Sequence, residues 1–184
     1  EYVNNKIWGR GENGLLYSYD TKSNSCFAHD ITANALSAIN ETELIVVDDR
    51  FRFWKFNTNT FKKTLLLDKS LPFKIESEYI EVLQDNKGIL WIASNLGLHS
   101  YDVKNQKLTA IEGMDSYNLS SLLLLEDERL LIGTLKNGLL VYDIKDKSFE
   151  SISTKDGLPN NSISTITKDR DGYYWIATYK GIGI

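Results

Sequence analysis

Apolar and polar residues alternate along this chain in short runs, and nowhere do apolar positions recur with the 3.6-residue period of an amphipathic helix. The stretch NSISTITKDRDGYYWIAT (161–178) places two β-rich runs on either side of DRDG, a turn with a glycine available for positive φ. The run WIAS (91–94) or WIAT (175–178) leads into a second turn that ends in glycine. A third run follows, such as GLHSYD (97–102) or GLLVYD (138–143), then a polar loop (VKNQ, IKDK) and a fourth run, KLTAIEG or KSFESIST. The pattern predicts units of four short strands joined by hairpin turns.

These units repeat. An aromatic residue followed by Asp or Asn closes an apolar strand at Tyr19-Asp20, Phe56-Asn57, Tyr101-Asp102 and Tyr142-Asp143, at intervals of 37, 45 and 41 residues. A second anchor keeps its own spacing, because Trp8, Trp91 and Trp175 each precede a glycine (Gly14, Gly97, Gly181) by six positions. In another copy Leu131 replaces the tryptophan and Gly138 lies seven residues on. The copy around VVDDRFRFWKFN (46–57) is degenerate, with Arg52 where the glycine is expected.

Four antiparallel strands in a unit of about 40 residues is the pattern of a β-propeller blade. A sandwich gives no reason for such a period, leucine-rich and β-helix repeats are shorter, and helical repeats need helices that the pattern lacks. The expected fold is therefore all-β, a single partial β-propeller over 1–184 forming an incomplete arc of about four and a half blades. The blades are expected at 6–31 (lacking its innermost strand), 36–68, 77–113, 117–154 and 162–184. ALSAI, YIEVLQD, LSSLLLLED and SISTITKD are the inner strands, the least polar, facing neighbouring blades on both sides. The closing phrase DGYYWIATYKGIGI (171–184) repeats GILWIASNLGLHSYD (88–102) and stops in mid-strand, so the chain is expected to be a fragment.

Composition narrows the function classes. With 42% hydrophobic and 25% charged residues the chain reads as globular, and a net charge of -4 argues against a nucleic-acid footprint. No run of about 18 apolar residues is present. A lone cysteine, Cys26, excludes an internal disulfide framework and a cysteine-based zinc site.

Candidate chemistry is sparse. The recurring tryptophans fit packing between blades better than a sugar-stacking platform, since they keep phase with the repeat. The turn glycines are expected to supply positive φ, and the Asp of each Tyr-Asp to cap the following loop by accepting backbone N–H bonds. His29 and His99 are the two histidines and fall in different blades, so no metal pair is expected. Asp169, Asp171 and Gly172 approach a calcium loop without its third ligand and distant Glu, and approach the Asp-box of sialidase propellers one residue out of register. Sialidase chemistry also needs an arginine cluster, and this chain has only Arg10, Arg50, Arg52, Arg129 and Arg170. Asp48-Asp49 and Glu126-Asp127-Glu128 read as turn residues. No catalytic, cofactor or metal residue is assigned.

The stretch TKDGLPNNSISTITKDRDGYYWIATYKGIGI (154–184) resembles the two-component-regulator propeller repeat: Gly-Leu-Pro, an Asn/Ser turn, an inner strand, Asp-x-x-Gly, Trp-Ile-Gly/Ala-Thr, then Gly-Leu or Gly-Ile. GILWIASNLGLHSYD and LLIGTLKNGLLVYD match its second half. The resemblance covers 77–184 and, in part, 6–20; residues 36–68 keep only the spacing. It implies a ligand-sensing module in the periplasmic part of a hybrid two-component protein of Bacteroides-type bacteria. Such a module senses a glycan fragment without catalysis, and its parent is membrane-anchored and dimeric. It transfers no binding residue, because the family's ligand contacts lie outside the repeat motif. The alternatives are a propeller enzyme (a lyase or a glycan-active one) and a protein-interaction scaffold. An arc of a seven-bladed propeller, which needs roughly 290 residues, would leave apolar faces uncovered. The expected partners are therefore the remainder of the parent propeller or a second copy, with an oligosaccharide as ligand and no nucleic acid.

Overall fold

The computed structural model describes residues 1–68 and 80–184. Those residues form nineteen strands and one 3-10 turn (Thr154–Asp156). The first sheet contains β1 (Tyr2–Val3), β2 (Lys6–Arg10), β3 (Leu15–Asp20) and β4 (Ser25–Thr32). The second contains β5 (Ala35–Asn40), β6 (Glu43–Val47), β7 (Phe53–Asn57) and β8 (Lys63–Leu67). The third holds β9 (Glu81–Gln84), β10 (Ile89–Ser94), β11 (Gly97–Asp102) and β12 (Lys107–Ala110). The fourth holds β13 (Leu119–Leu124), β14 (Arg129–Thr134), β15 (Leu139–Asp143) and β16 (Ser148–Ile152). The last sheet has three strands, β17 (Ile163–Lys168), β18 (Tyr174–Thr178) and β19 (Gly181–Gly183). In every sheet the strands are hydrogen-bonded in chain order, the arrangement of a propeller blade.

Two expectations change. The first sheet has its innermost strand after all, and begins at Tyr2 rather than residue 6. This strand is two residues long, too short to show a period, and is joined to β2 by a two-residue turn in which Asn4 and Asn5 both have positive φ (54° and 58°). The inner strand β17 is also less covered than expected, with only Ile163 and Ile166 buried among its six residues. Residues 77–79, the expected start of the third blade, lie outside the described residues.

The described residues divide into two compact units. One comprises 1–68, 82–91 and 101–108, and the other 80–81, 92–100 and 109–184, so the third sheet contributes to both. In the first unit, Val3, Trp8, Leu16 and Ile31 of the first sheet pack with Leu44, Val46 and Phe56 of the second. In the other, Leu131 and Leu139 of the fourth sheet pack with Ile163, Ile166 and Ile176 of the last. Each core thus forms between the faces of consecutive sheets, where burial of aliphatic side chains supplies about 25 cal/mol per Å² of apolar area. Leu158 joins the latter core from the connection 153–162, which starts in a capping box between Ser153 and Asp156 and turns at Gly157 (φ 107°).

The inner strands β13 and β17 pack against each other. Between β13 and β17 two buried serines make the links: Ser120 Oγ donates to Ile163 O (2.6 Å), and Ser121 Oγ accepts from Ile166 N (3.0 Å). A Cβ on Gly133 would stand 2.8 Å from Ile163 Cγ2, so glycine is what lets this contact form.

Candidate functional site

Because successive strands run up and down, each sheet has two edges of loops. One carries the turns between first and second strands and between third and fourth strands. The other carries the turns between second and third strands together with the connections from one sheet to the next.

At the first edge the third-to-fourth-strand turns are closed by their own carboxylate or amide. Asp20 accepts from Lys22 N and Ser23 N, Asn57 from Asn59 N and Thr60 N, Asp102 from Lys104 N and Asn105 N, and Asp143 from Lys145 N and Asp146 N. The capping role expected of the Asp in Tyr-Asp therefore holds in all three, and Asn57 plays the same part in the second sheet. The Ser23 and Lys22 amides hold the Asp20 carboxyl below its ordinary range, and those of Asn105 and Lys104, with the Asn105 side chain, do the same for Asp102. Asp85 and Asp169 close the first-to-second-strand turns. Asp169 Oδ1 accepts from Asp171 N and Tyr173 N, and Oδ2 accepts from the Trp175 indole at 2.6 Å. Asp85 repeats this with Lys87 N, Ile89 N and the Trp91 indole at 3.0 Å. Trp175, foremost, together with the turn amides, lowers the Asp169 pKa. The residues that approached a calcium loop are thus a clamp on a tryptophan.

The other edge is stitched. The turn glycines Gly14, Gly97, Gly138 and Gly181 have φ of 79°, 84°, 83° and 133°, as their position in the repeat predicts. Hydroxyls help to close the turns: Ser94 Oγ accepts from Leu96 N, and Thr134 Oγ1 accepts from Asn137 N and donates to Gly138 O. The degenerate second sheet replaces the hydroxyl with Asp48, whose carboxylate accepts from Arg50 N, Arg52 N, Arg52 Nε and the Trp54 indole. The positive φ of this turn falls on Phe51 (56°), not on Arg52. Burial pushes the Asp48 pKa up, but these donors outweigh it and the carboxyl sits below its ordinary value.

Connections bond to these turns. Ala33 N donates to Gly14 O and Asn34 N to Val47 O, while Thr32 Oγ1 donates to Asp49 Oδ1 and accepts from Asp49 N. In the second unit Leu135 N donates to Asn118 O, Gly138 N to Asn161 O, and Tyr179 N to Ser162 O. The connections at 33–34, 111–118 and 153–162 are therefore each tied to the turn of the sheet they enter, and the first and last of them also to that of the sheet they leave.

The two histidines have different surroundings. His29 on β4 stacks on Trp8 (4.9 Å between ring centroids), meets Phe56 edge-on, and lies 2.8 Å from Ser18 Oγ through Nε2. Burial, then the charge of Lys6, lowers its pKa; burial lowers that of His99 on β11, against an opposing bond from the Gly97 backbone. Among the described residues no three His, Cys, Asp or Glu side chains gather into a cluster that could hold a metal. Glu126 pairs with Lys168 of the last sheet at 2.6 Å and Asp127 with Arg129 of its own turn at 2.8 Å, so these carboxylates are held in ion pairs. Trp91 is buried as expected, but Trp175 is 38% exposed, since no described residue covers its face of the last sheet.

Nearly every recurring polar residue is thus committed to holding the repeat. Polar groups not so committed gather at a cavity of about 340 Å³ on the first edge of the first unit, lined by Tyr2, Val3, Asn4, Asn5, Glu41 and Thr42. The repeat itself did not disclose it, because none of these residues recurs in phase.

Comparison with known proteins agrees with the architecture. The chain superposes with a TM-score of 0.73 and 21% identity on the extracellular domain of a protein described as a hybrid two component system from Bacteroides thetaiotaomicron, covering 97% of this chain and 25% of that one. A second such domain from the same organism gives 0.70 at 18% identity, covering 97% and 24%. PorZ, a surface component of the type-IX secretion system of Porphyromonas gingivalis, gives 0.63 at 14%, covering 98% and 27%. The chain therefore spans about a quarter of the length of these structures, and the likeness establishes a shared fold. No curated protein matches the chain by sequence. The family model described as two component regulator propeller matches residues 157–180. The chain has the β-propeller fold, and its segment 157–180 matches the two component regulator propeller repeat.

Proposed function

We propose that this chain is part of the ligand-sensing propeller of a hybrid two-component protein, placed in the periplasm, responding to a glycan fragment and not catalysing a reaction. The observation that carries this reading is the two component regulator propeller repeat at 157–180. The fold shared with extracellular domains of such systems in Bacteroides thetaiotaomicron supports it. Further support comes from the loops: with turns and connections bonded to each other, a ligand held there would bear on a stiff frame rather than on free loops. The parent is proposed to be membrane-anchored and dimeric, and to supply the further blades that cover the faces open here.

The test pairs binding with turnover. The chain is titrated calorimetrically with a panel of oligosaccharides, and each mixture is then incubated and separated by chromatography. The reading expects saturable binding of at least one oligosaccharide, recovered intact. Recovery of shortened or unsaturated products would replace the sensor by an enzyme, and no binding across the panel would remove the glycan.

A further inference from the structure

We propose that the cavity between the first turns of the first two sheets is a subsite for a neutral, hydroxyl-rich saccharide, an inference that rests on the glycan-sensing reading above. Its volume of about 340 Å³ lies at the lower end of the range for small-molecule sites, about 300–1,000 Å³.

The walls are held in place from three turns. Asn4 and Asn5 form the tight turn of the first sheet, and Asn4 Nδ2 donates to Asn59 Oδ1 of the β7–β8 turn at 2.6 Å. Glu41 and Thr42 form the matching turn of the second sheet. Thr42 O accepts from both Thr58 N (2.8 Å) and Thr58 Oγ1 (3.0 Å), and Asn40 Oδ1 accepts from Thr42 N and Thr42 Oγ1. Val3, 3% exposed, is the apolar member of the lining. The site is therefore pre-formed, which lowers the ordering cost of binding.

What these bonds leave open determines the ligand. Among the described residues, Asn4 Oδ1 and the Glu41 carboxylate accept no hydrogen bond, and the Asn5 amide keeps its N–H donors. The Tyr2 hydroxyl makes one long contact, 3.5 Å to Asn5 Oδ1, and its side chain is 62% exposed. An aromatic ring, an amide donor, an amide acceptor and an unpaired carboxylate thus border one concavity. A pyranose matches that set: its C–H face lies on an aromatic ring, while vicinal hydroxyls both donate to a carboxylate and accept from an amide. An ammonium ligand would use Glu41 and the face of Tyr2 but offers no acceptor to the Asn5 N–H donors, whereas a saccharide engages acceptor and donors together. The mixed donor and acceptor set favours the sugar.

The test follows backbone amides of the ¹⁵N-labelled chain by NMR during titration with maltotriose, xylotriose, cellotriose and mannotriose, and separately with methylammonium. The same titrations are run on Glu41→Gln and Tyr2→Ala. Both residues are exposed, and the spectrum itself reports whether each variant is folded. The proposal expects at least one trisaccharide to shift the Asn4, Asn5 and Thr42 amides saturably, with each variant binding it about tenfold more weakly or worse. A trisaccharide that binds while shifting amides elsewhere, or that binds both variants as it binds the parent chain, overturns the subsite and leaves the glycan reading standing. If none of the four binds, both fall. Saturable shifts at these amides from methylammonium alone would make the cavity an amine site and overturn the saccharide assignment.

Discussion

An indole has one N–H to give, and three of the four tryptophans here give it to an aspartate six residues earlier: Asp48 to Trp54, Asp85 to Trp91 and Asp169 to Trp175. Trp8 has no such aspartate and donates to Val3 O instead, and where Leu131 replaces the tryptophan, Leu125 stands in the aspartate's place. Each aspartate at this spacing thus comes with an indole to receive, while Trp8, lacking the aspartate, turns to a backbone carbonyl. The spacing was visible in the sequence, but it does not keep blade phase. Asp48 sits between second and third strands, whereas Asp85 and Asp169 sit between first and second. A search for residues in phase therefore finds the turn glycines and the capping Asp20 and Asp102, and passes over these pairs. The environments of the pairs differ, which makes a prediction. Asp48 is 1% exposed and receives four donors, so Asp48→Ala strands a half-buried guanidinium, an indole N–H and two amides, and is expected to cost about 2–4 kcal/mol. Asp169→Ala, at the surface, is expected to move the urea midpoint much less; equal shifts of the tryptophan-detected midpoint would contradict this account. Glycines in equivalent turns are likewise unequal. A Cβ on Gly138 would lie 2.2 Å from Ile152 O, whereas one on Gly14 meets nothing within 4 Å. Gly14→Ala should cost only the left-handed penalty, about 1–2 kcal/mol. Gly138→Ala should cost visibly more in the same urea titration, because a strand end must also move.

At the scale of strands, the outermost strand of the first sheet is held by an imidazole. β4 presents His29 to Trp8 on its own sheet and to Phe56 on β7, with Phe61 tilted over it at 5.0 Å. The composition showed two histidines in different blades and could say only that they do not make a metal pair. That one of them is an aromatic packing residue follows from strand register and sheet stacking, which no local spacing encodes. The packing has a pH consequence. Burial, assisted by Lys6, lowers the His29 pKa below its ordinary value near 6.5, and burial does the same for His99. The folded state therefore prefers the neutral imidazole. The resulting stability is complete above the unfolded value and drains away as pH falls through the lower folded one. Melting temperature is expected to be level between pH 8 and 7 and to drop on acidification from 6.5 towards 5. His29→Gln should make that drop shallower, His99 supplying what remains. A variant profile superimposable on that of the parent chain would show that the protonation cost lies elsewhere. Below about pH 4 a further loss is expected as the lowered carboxyls of Asp20, Asp102 and Asp169 take up protons.

For the molecule as a whole, the balance between covered and uncovered faces decides behaviour in solution. Trp91, on the second strand of the third sheet, is 4% exposed, whereas Trp175, its counterpart in the last sheet, is 38% exposed. Around Trp175 the same sheet shows Tyr173 at 60%, Ile182 at 63% and Ile184 at 73%, with Tyr179 at 86% in the turn between β18 and β19. The edge strand β19 adds unpaired backbone groups, since this sheet has three strands where the others have four. Contiguous aromatic and aliphatic side chains beside an open strand edge are what a neighbouring sheet of the same repeat would cover, as the last sheet itself covers Leu131 and Leu139 of the fourth. The chain in isolation is therefore expected to associate with a second copy, and to stop doing so when a further sheet of the same repeat is fused after it. Light scattering after size exclusion should give a mass well above the 21.0 kDa of one chain. Substituting Trp175 and Ile182 together by serine should lower that mass, because both side chains are exposed and neither belongs to the core shared by the last two sheets. A monodisperse species at the mass of a single chain, stable over the range of concentrations measured, would mean that these residues are tolerated in water and that no neighbouring sheet is required.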